Sequence, residues 1–302
     1  MRYAMSGLAA VLLWGAAPVA LKSLAGALPG AALSTAVYAL VACITLPWLV
    51  RAWRQGGLAA SDWWRLAAIG FMLTSVFNLL VSLAAPGVRG TTIGAIVALE
   101  PLMIALISAW LTRRWPTRAT LAALLLSLAG VWLLIAPAAA APQAAHDAPW
   151  AVALVALGAV LWSGAVVHAA RLATPWQPLQ ASMAMLCMGS LPFLLAAPWM
   201  ARAPVAGWSM QVAGGLLFMV VGATVLANVL WLRALRAMGP VSTSLLINLV
   251  PLTTVGLSVA WLGEPWSTPQ LAGCALVVTA LSLQPLLQAL HLRRHPLTVT
   301  RQ

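Results

Sequence analysis

Glu100 is one of only four acidic residues in the 302-residue chain, and it lies about midway along an apolar run over 91–112. A carboxylate at a bilayer centre costs about 2.5–3.5 kcal/mol on insertion scales, so it faces the interior of a bundle or a wet cavity rather than lipid. There it couples protons, ligates a substrate, or serves as a structural acid bonded to a neighbouring helix. Pro101 follows it directly, and Pro251 stands at the equivalent place in a later run. Each proline lacks an amide donor, which leaves a carbonyl about one turn earlier, near Val97 and Ile247, without its helical bond. Inside a membrane that backbone is satisfied by protein or by a watery cavity, so both prolines are candidate hinges, against the plainer reading of kinked packing helices.

The third apolar run carries Thr74, Ser75, Asn78 and Ser82, and the eighth carries Thr224, Asn228 and Trp231. Spacings of three, four and seven put each set on one helix face, which lines a cavity or forms interhelical hydrogen bonds. Trp14 and Trp162 lie inside their runs and are candidate cavity walls. Tryptophans near run ends, such as Trp53, Trp64, Trp115, Trp199 and Trp208, fit an interfacial belt. Lys22 snorkels toward the surface or attracts an anion, and His168 is interfacial beside Arg171. His291 and His295 have ligand spacing but sit in a basic tail, so no metal site is expected. Cys43, Cys187 and Cys274 sit in apolar runs as small hydrophobes. No Gly-x-Ser-x-Gly, His-Glu-x-x-His or phosphate-loop pattern occurs, so neither enzymatic chemistry, a cofactor nor ATP driving is expected.

The elements that hold these residues follow from composition. Sixty-three per cent of the residues are hydrophobic, 7% are charged, and the mean hydropathy is +0.98. A soluble domain is about one-quarter charged, and disorder needs the opposite balance. A spanning helix uses about 20 residues, and ten fit: 4–25, 29–50, 64–84, 91–112, 119–136, 150–171, 178–199, 210–232, 241–262 and 269–287. The loops between them are short. The longest, Pro137 to Pro149, is rich in Ala and Pro and marks the midpoint.

The halves repeat. Thr74, Asn78 and Pro101 recur as Thr224, Asn228 and Pro251, 150 positions on. Ala109-Trp110-Leu111 recurs as Ala260-Trp261-Leu262, and Leu13-Trp14 as Leu161-Trp162. We read residues 1–140 as a first five-helix repeat, and 141–302 as a second with a short cytoplasmic tail. Five spans per half is odd, so the second repeat enters the membrane from the opposite side, a construction found in secondary transporters. The repeat also argues that the first segment is a working helix, although Met1-Arg2 and Ala25-Gly26-Ala27 mimic a cleavable leader.

The formal charge is +12, with Lys22 the single lysine among 16 basic residues. In a soluble chain this would suggest nucleic acid; here it fits loop arginines that set orientation, and no nucleic-acid partner is expected. A cytoplasmic N-terminus leaves Lys22, Arg89 and Arg202 outside and every other arginine inside. Both termini then face the cytoplasm. Near-exclusive use of arginine points to a GC-rich, bacterial source, and hence to the inner membrane.

Several motifs carry a resemblance. Leu13-Trp14-Gly15 with Lys22, Leu99-Glu100-Pro101, Asn248-Leu249-Val250-Pro251, Trp261-Leu262-Gly263-Glu264-Pro265 and Leu271-Ala272-Gly273 together resemble the drug/metabolite transporter superfamily, EamA type. The resemblance covers about residues 5 to 287. It implies an all-α membrane protein of ten transmembrane helices in two inverted five-helix repeats. It also implies alternating access about a central cavity, usually exporting a small metabolite such as an amino acid. One departure is that Gly263-Glu264 is matched in the first half by Thr112-Arg113, so a role for that acid does not carry over. The expected partners are a small-molecule substrate, protons as candidate coupling ion, and membrane lipid; oligomeric state leaves no mark on the sequence. Glu100 is the expected coupling or contact group, with Asn78, Asn228, Thr74 and Thr224 as polar lining and Trp14 and Trp162 as walls. Spans one, three, four, six, eight and nine are the expected lining. The alternatives are a non-transporting assembly or sensor protein, and a lipid-acting membrane enzyme.

Overall fold

The computed structural model describes residues 2–24, 30–56, 59–140, 147–172, 176–200, 209–263 and 267–294. The expected boundary between halves runs into residues 141–146, which lie outside the described residues, as do Arg202, Trp208, Glu264, Pro265 and His295, and the side chains of Lys22, Trp199 and His291.

Helices account for every regular element among the described residues. We number them α1 (Arg2–Leu24), α2 (Gly30–Gln55), α3 (Ala60–Gly87), α4 (Gly90–Thr112), α5 (Arg118–Ala140), α6 (Pro149–Arg171), α7 (Pro178–Met200), α8 (Met210–Met238), α9 (240–262) and α10 (Thr268–Arg294). Nine of these are long and apolar enough to span a membrane; in α10 the described apolar stretch is the shorter Thr268–Ser282.

The pairing of helices is exchanged between halves. α1 packs on α8 and α9, and α6 packs on α3 and α4. α2 packs on α8, and α7 on α3, while α2 pairs with α7 and α5 with α10. Each contact thus has its counterpart five helices away. With no hydrophobic drive between helices in lipid, close approach needs small residues at the crossings. Gly70 of α3 and Gly189 of α7 meet backbone to backbone, and Gly130 of α5 meets Gly273 of α10 in the same way. Gly15 of α1 fits under Thr253 and Val250 of α9, where the Thr254 hydroxyl donates to the Gly15 carbonyl at 2.8 Å.

Among the described residues, two repeat-related pairs of interruptions break the helical regularity. α3 widens to π-helix over Met72–Val76, and α8 does so over Phe218–Leu226. In both, the asparagine amide reaches back four residues, Asn78 to the Thr74 carbonyl at 2.8 Å and Asn228 to the Thr224 carbonyl at 2.7 Å. The Thr224 hydroxyl donates five residues back, to Met219 O at 2.8 Å. Such π-turns are frequent at functional sites. α4 breaks at Ala98–Leu99 before Glu100 and Pro101, and α9 tightens to 3-10 geometry over Leu245–Asn248 before Pro251. The carbonyls that the missing proline amides would have bonded, Val97 and Ile247, lie at or beside these breaks.

The C-terminal caps correct the expected match of Gly263 to Thr112. α4 ends with Arg113 left-handed at φ 56°, and α9 ends with Gly263 left-handed at φ 68°. Arg113 therefore occupies the glycine's structural position. A left-handed conformation strains a residue with a Cβ. Arg113→Gly is expected to stabilise the protein by about 1 kcal/mol, read as a raised midpoint of thermal unfolding in detergent.

Candidate functional site

A central cavity of about 350 Å³ lies where the two halves meet. Trp14, Thr74, Asn78, Glu100, Trp162, Thr224 and Asn228 all line it. Pro101 and Pro251 do not; the residues one turn earlier, Val97 and Ile247, do. The wall is wider than expected, since α2 adds Tyr38 and α7 adds Ser182 and Met185.

Glu100 is 3% exposed and opens the second segment of α4, Glu100–Thr112. A helix N-terminus carries partial positive charge and favours an acid there, which gives a local reason why this position tolerates a carboxylate. Its Oε1 is buried and makes no hydrogen bond within the protein. Trp231, 5% exposed on α8, also lines the cavity, and its Nε1–H is likewise buried without a partner. Unmade bonds to buried polar groups cost about 1–3 kcal/mol, so two residues that line the cavity carry unmet hydrogen-bonding capacity.

The aromatic walls come in crossed pairs. Trp14 of α1 tilts against Trp231 of α8, with ring centroids 5.2 Å apart. Trp162 of α6 faces Phe77 of α3 at 6.3 Å. These are the same exchanged helix pairs seen in the fold. On α3, Asn78 also donates to the Tyr38 hydroxyl at 3.0 Å, which ties α2 to the site.

Two members of the expected polar face depart from it. Ser75 turns to α7 and donates to the Gly189 carbonyl at 2.5 Å, and Ser82 is exposed. The π-turn rotates successive side chains by less than an α-turn would, so regular spacing misplaces them. Tyr38 was not foreseen: it stands alone among apolar neighbours, and its partner is 40 residues away. Trp231 was visible in the α8 polar set, but its unpartnered N–H was not.

Outside the apolar segments, Asp147 fastens the α3–α4 turn to the start of α6. It accepts from the Arg89 amide at 2.9 Å, the Arg89 Nη2 at 2.8 Å and the Thr92 hydroxyl at 2.8 Å, and the Ala148 amide donates to Gly87 O at 2.8 Å. The hydrogen bonds from Arg89 and Thr92 hold the Asp147 carboxyl well below the usual carboxylate range, and Asp147 raises the Arg89 guanidinium. A carboxyl lowered by folding contributes stability above its unfolded value, about 3.9, and loses it only as pH falls through the folded value. Amide protection at Arg89 and Ala148, corrected for intrinsic exchange, should therefore persist from pH 7 down to about 4. Asp147→Asn should lose it at every pH, as read by hydrogen exchange.

Comparison with known proteins places this arrangement. A crystal structure titled only as that of a protein aligns with 94% of this chain and 98% of its own, with a TM-score of 0.74 and 20% identity, and so shares the fold. No curated protein matches. The profile of the EamA-like transporter family matches twice, over residues 1–136 and 149–284, once for each half. An all-helical chain, two family repeats and helices apolar enough to span a bilayer agree with one another: this multi-pass membrane protein belongs to the EamA-like transporter family, within the drug/metabolite transporter superfamily.

Proposed function

We propose that the protein is a secondary transporter, working as an exporter, for a small metabolite, an amino acid or a related compound. In this reading ten helices form two inverted five-helix repeats in a bacterial inner membrane, with both termini cytoplasmic. The repeats rock about the central cavity, and the breaks beside Pro101 and Pro251 act as hinges. Protons are the coupling ion, and Glu100 is the group that binds them.

The observation that carries the reading is a single cavity built by both halves and containing a buried, incompletely bonded carboxylate. A non-transporting assembly protein has no use for polar groups held unpartnered at its centre. A lipid-acting enzyme needs a nucleophile beside a base, whereas among the described residues the titratable side chains lining the cavity are Tyr38 and Glu100.

The test is flux into proteoliposomes with radiolabelled amino acids and amines offered singly, with and without an imposed proton gradient. Flux above that of protein-free vesicles, and dependent on the gradient, is expected for at least one of them. Absence of flux across the whole panel, from protein shown to be folded, would overturn the reading.

A further inference from the structure

A second concavity, a groove of about 820 Å³, lies between α3, α4 and α6. It is more than twice the size of the central cavity and shares none of its lining residues. Its floor is apolar, from Ala68 and Met72 of α3, Ile107 of α4, and Leu161 and Ala165 of α6. Its rims stand at the surface, with Trp64 74% and Val160 45% exposed. In a chain that spans a membrane, such a groove opens toward lipid. Gly164 deepens it, since a Cβ there would meet nothing within 4 Å. A glycine inside a helix weakens it relative to alanine, and no helix crossing here requires one.

One end of the groove is basic. Arg65 stands in the second turn of α3, and His168 and Arg171 in the last turn of α6; all three line the groove. The His168 Nδ1–H donates to the Gly164 carbonyl at 2.9 Å, which holds the ring at this mouth. Asp62 shares Arg65 at 3.3 Å, and Glu100 of α4 faces the central cavity instead. Arg171 pairs with no acid among the described residues. Membrane orientation explains why arginines gather on one side, but not why three bases meet at the end of an apolar groove. The repeat does not require them either. At the equivalent positions stand Gly215, Ala20 and Ser23, so the bases are an addition to this copy of the crossing.

The groove's shape limits what fills it. From Arg171 to Val160 α6 rises about 16 Å, close to half of a hydrocarbon core of about 30 Å. That is the depth of one leaflet. The matching occupant has an anion at one end and a long apolar chain at the other. Arginine binds phosphate oxygens through paired N–H donors, and basic pockets between membrane helices suit anionic headgroups. We infer that this groove binds one anionic phospholipid, its phosphate among Arg65, His168 and Arg171 and an acyl chain running past Gly164. The lipid bridges α3 and α6, one helix from each half. It also backs the central cavity, because Met72 and Leu161 in the groove adjoin Leu73 and Trp162 in the cavity wall. The site stands apart from the transporter reading and needs no cargo.

The test is titration of dioleoyl phosphatidylglycerol or dioleoyl phosphatidylcholine into the full chain in neutral detergent, with bound lipids counted by native mass spectrometry. One phosphatidylglycerol is expected to bind about tenfold more tightly than phosphatidylcholine, and Arg65→Ala and Arg171→Ala should each weaken it about fivefold. The double variant should bind the two lipids alike. Arg118→Ala removes an exposed base outside the groove and should change nothing. Gly164→Leu keeps every base but fills the groove, and should weaken both lipids. Soluble glycerol 3-phosphate at equal concentration should not displace the bound lipid. Equal binding of the two lipids by the parent protein would overturn the inference, as would a preference that survives the double variant or is lost equally in Arg118→Ala. Unchanged binding in Gly164→Leu would show that no acyl chain lies there, and displacement by glycerol 3-phosphate would show a site for free phosphate esters; either result overturns the lipid assignment.

Discussion

Glu100→Gln should abolish gradient-driven flux while the protein still folds and inserts. The substitution preserves the size and shape of a side chain that is 3% exposed, so the cavity wall is unchanged. It removes the group able to give and take a proton among the lining residues, Tyr38 aside. If Glu100 couples transport, no other carboxylate among the described lining residues replaces it, and flux falls by more than about tenfold, the loss expected when a charge-assisted bond disappears. The opposite effect is expected on stability. A buried acid with an unpartnered oxygen is a cost to the folded state, so the amide should unfold at the same temperature as the parent or slightly higher. The two readouts separate the roles: a structural acid would lose stability and keep its flux and pH profile, whereas a coupling acid keeps stability and loses flux.

The second large effect is expected at the crossing of α3 and α7. A methyl added at Gly70 would collide with the backbone carbonyl of Met185, and one added at Gly189 with the carbonyl of Gly70. Neither obstacle is a side chain that can swing away, and the Ser75 hydroxyl bond to Gly189 holds the two helices at the same point. Gly70→Ala and Gly189→Ala should each destabilise by about 1–3 kcal/mol, the usual range for overpacking. Their combination should fall short of the sum, because both force apart one contact. Gly164 of α6 is the internal reference. A Cβ there meets nothing within 4 Å, so Gly164→Ala should be neutral or stabilising by about 0.5–1 kcal/mol from helix propensity alone. Thermal unfolding in detergent reads all four variants. Equal melting of Gly70→Ala and Gly164→Ala would show that the α3–α7 approach is looser than described.

Much of this arrangement was legible because the signals were chemical misfits. An acid in the middle of an apolar run, asparagines 150 positions apart and tryptophans away from run ends each stand out against leucine and alanine. These five positions, with Thr74 and Thr224, line one cavity. Gly70, Gly164 and Gly189 look alike in the sequence, and only the helix crossing separates a glycine under a carbonyl from one facing open space. Tyr38 joins the cavity through a bond to Asn78 on another helix, which no local spacing records. The π-turns in α3 and α8 defeated the regular periodicity at Ser75 and Ser82. The likeness of Arg113 to Gly263 is one of backbone conformation, which residue identity conceals.

The exchanged packing also sets an order of events during synthesis. α1 is made before the other described helices, yet its partners are α8 and α9, and the Thr254 hydroxyl that seals it to Gly15 is 239 residues further along the chain. At about 5–20 residues per second, a ribosome needs roughly 10–50 seconds to reach that partner. Through this interval the small-residue face of α1 is solvated by lipid or held by an insertase. A first half made alone would have the same unfilled crossings on α1 and α3, and adding the second half as a separate polypeptide should be what lets it fold.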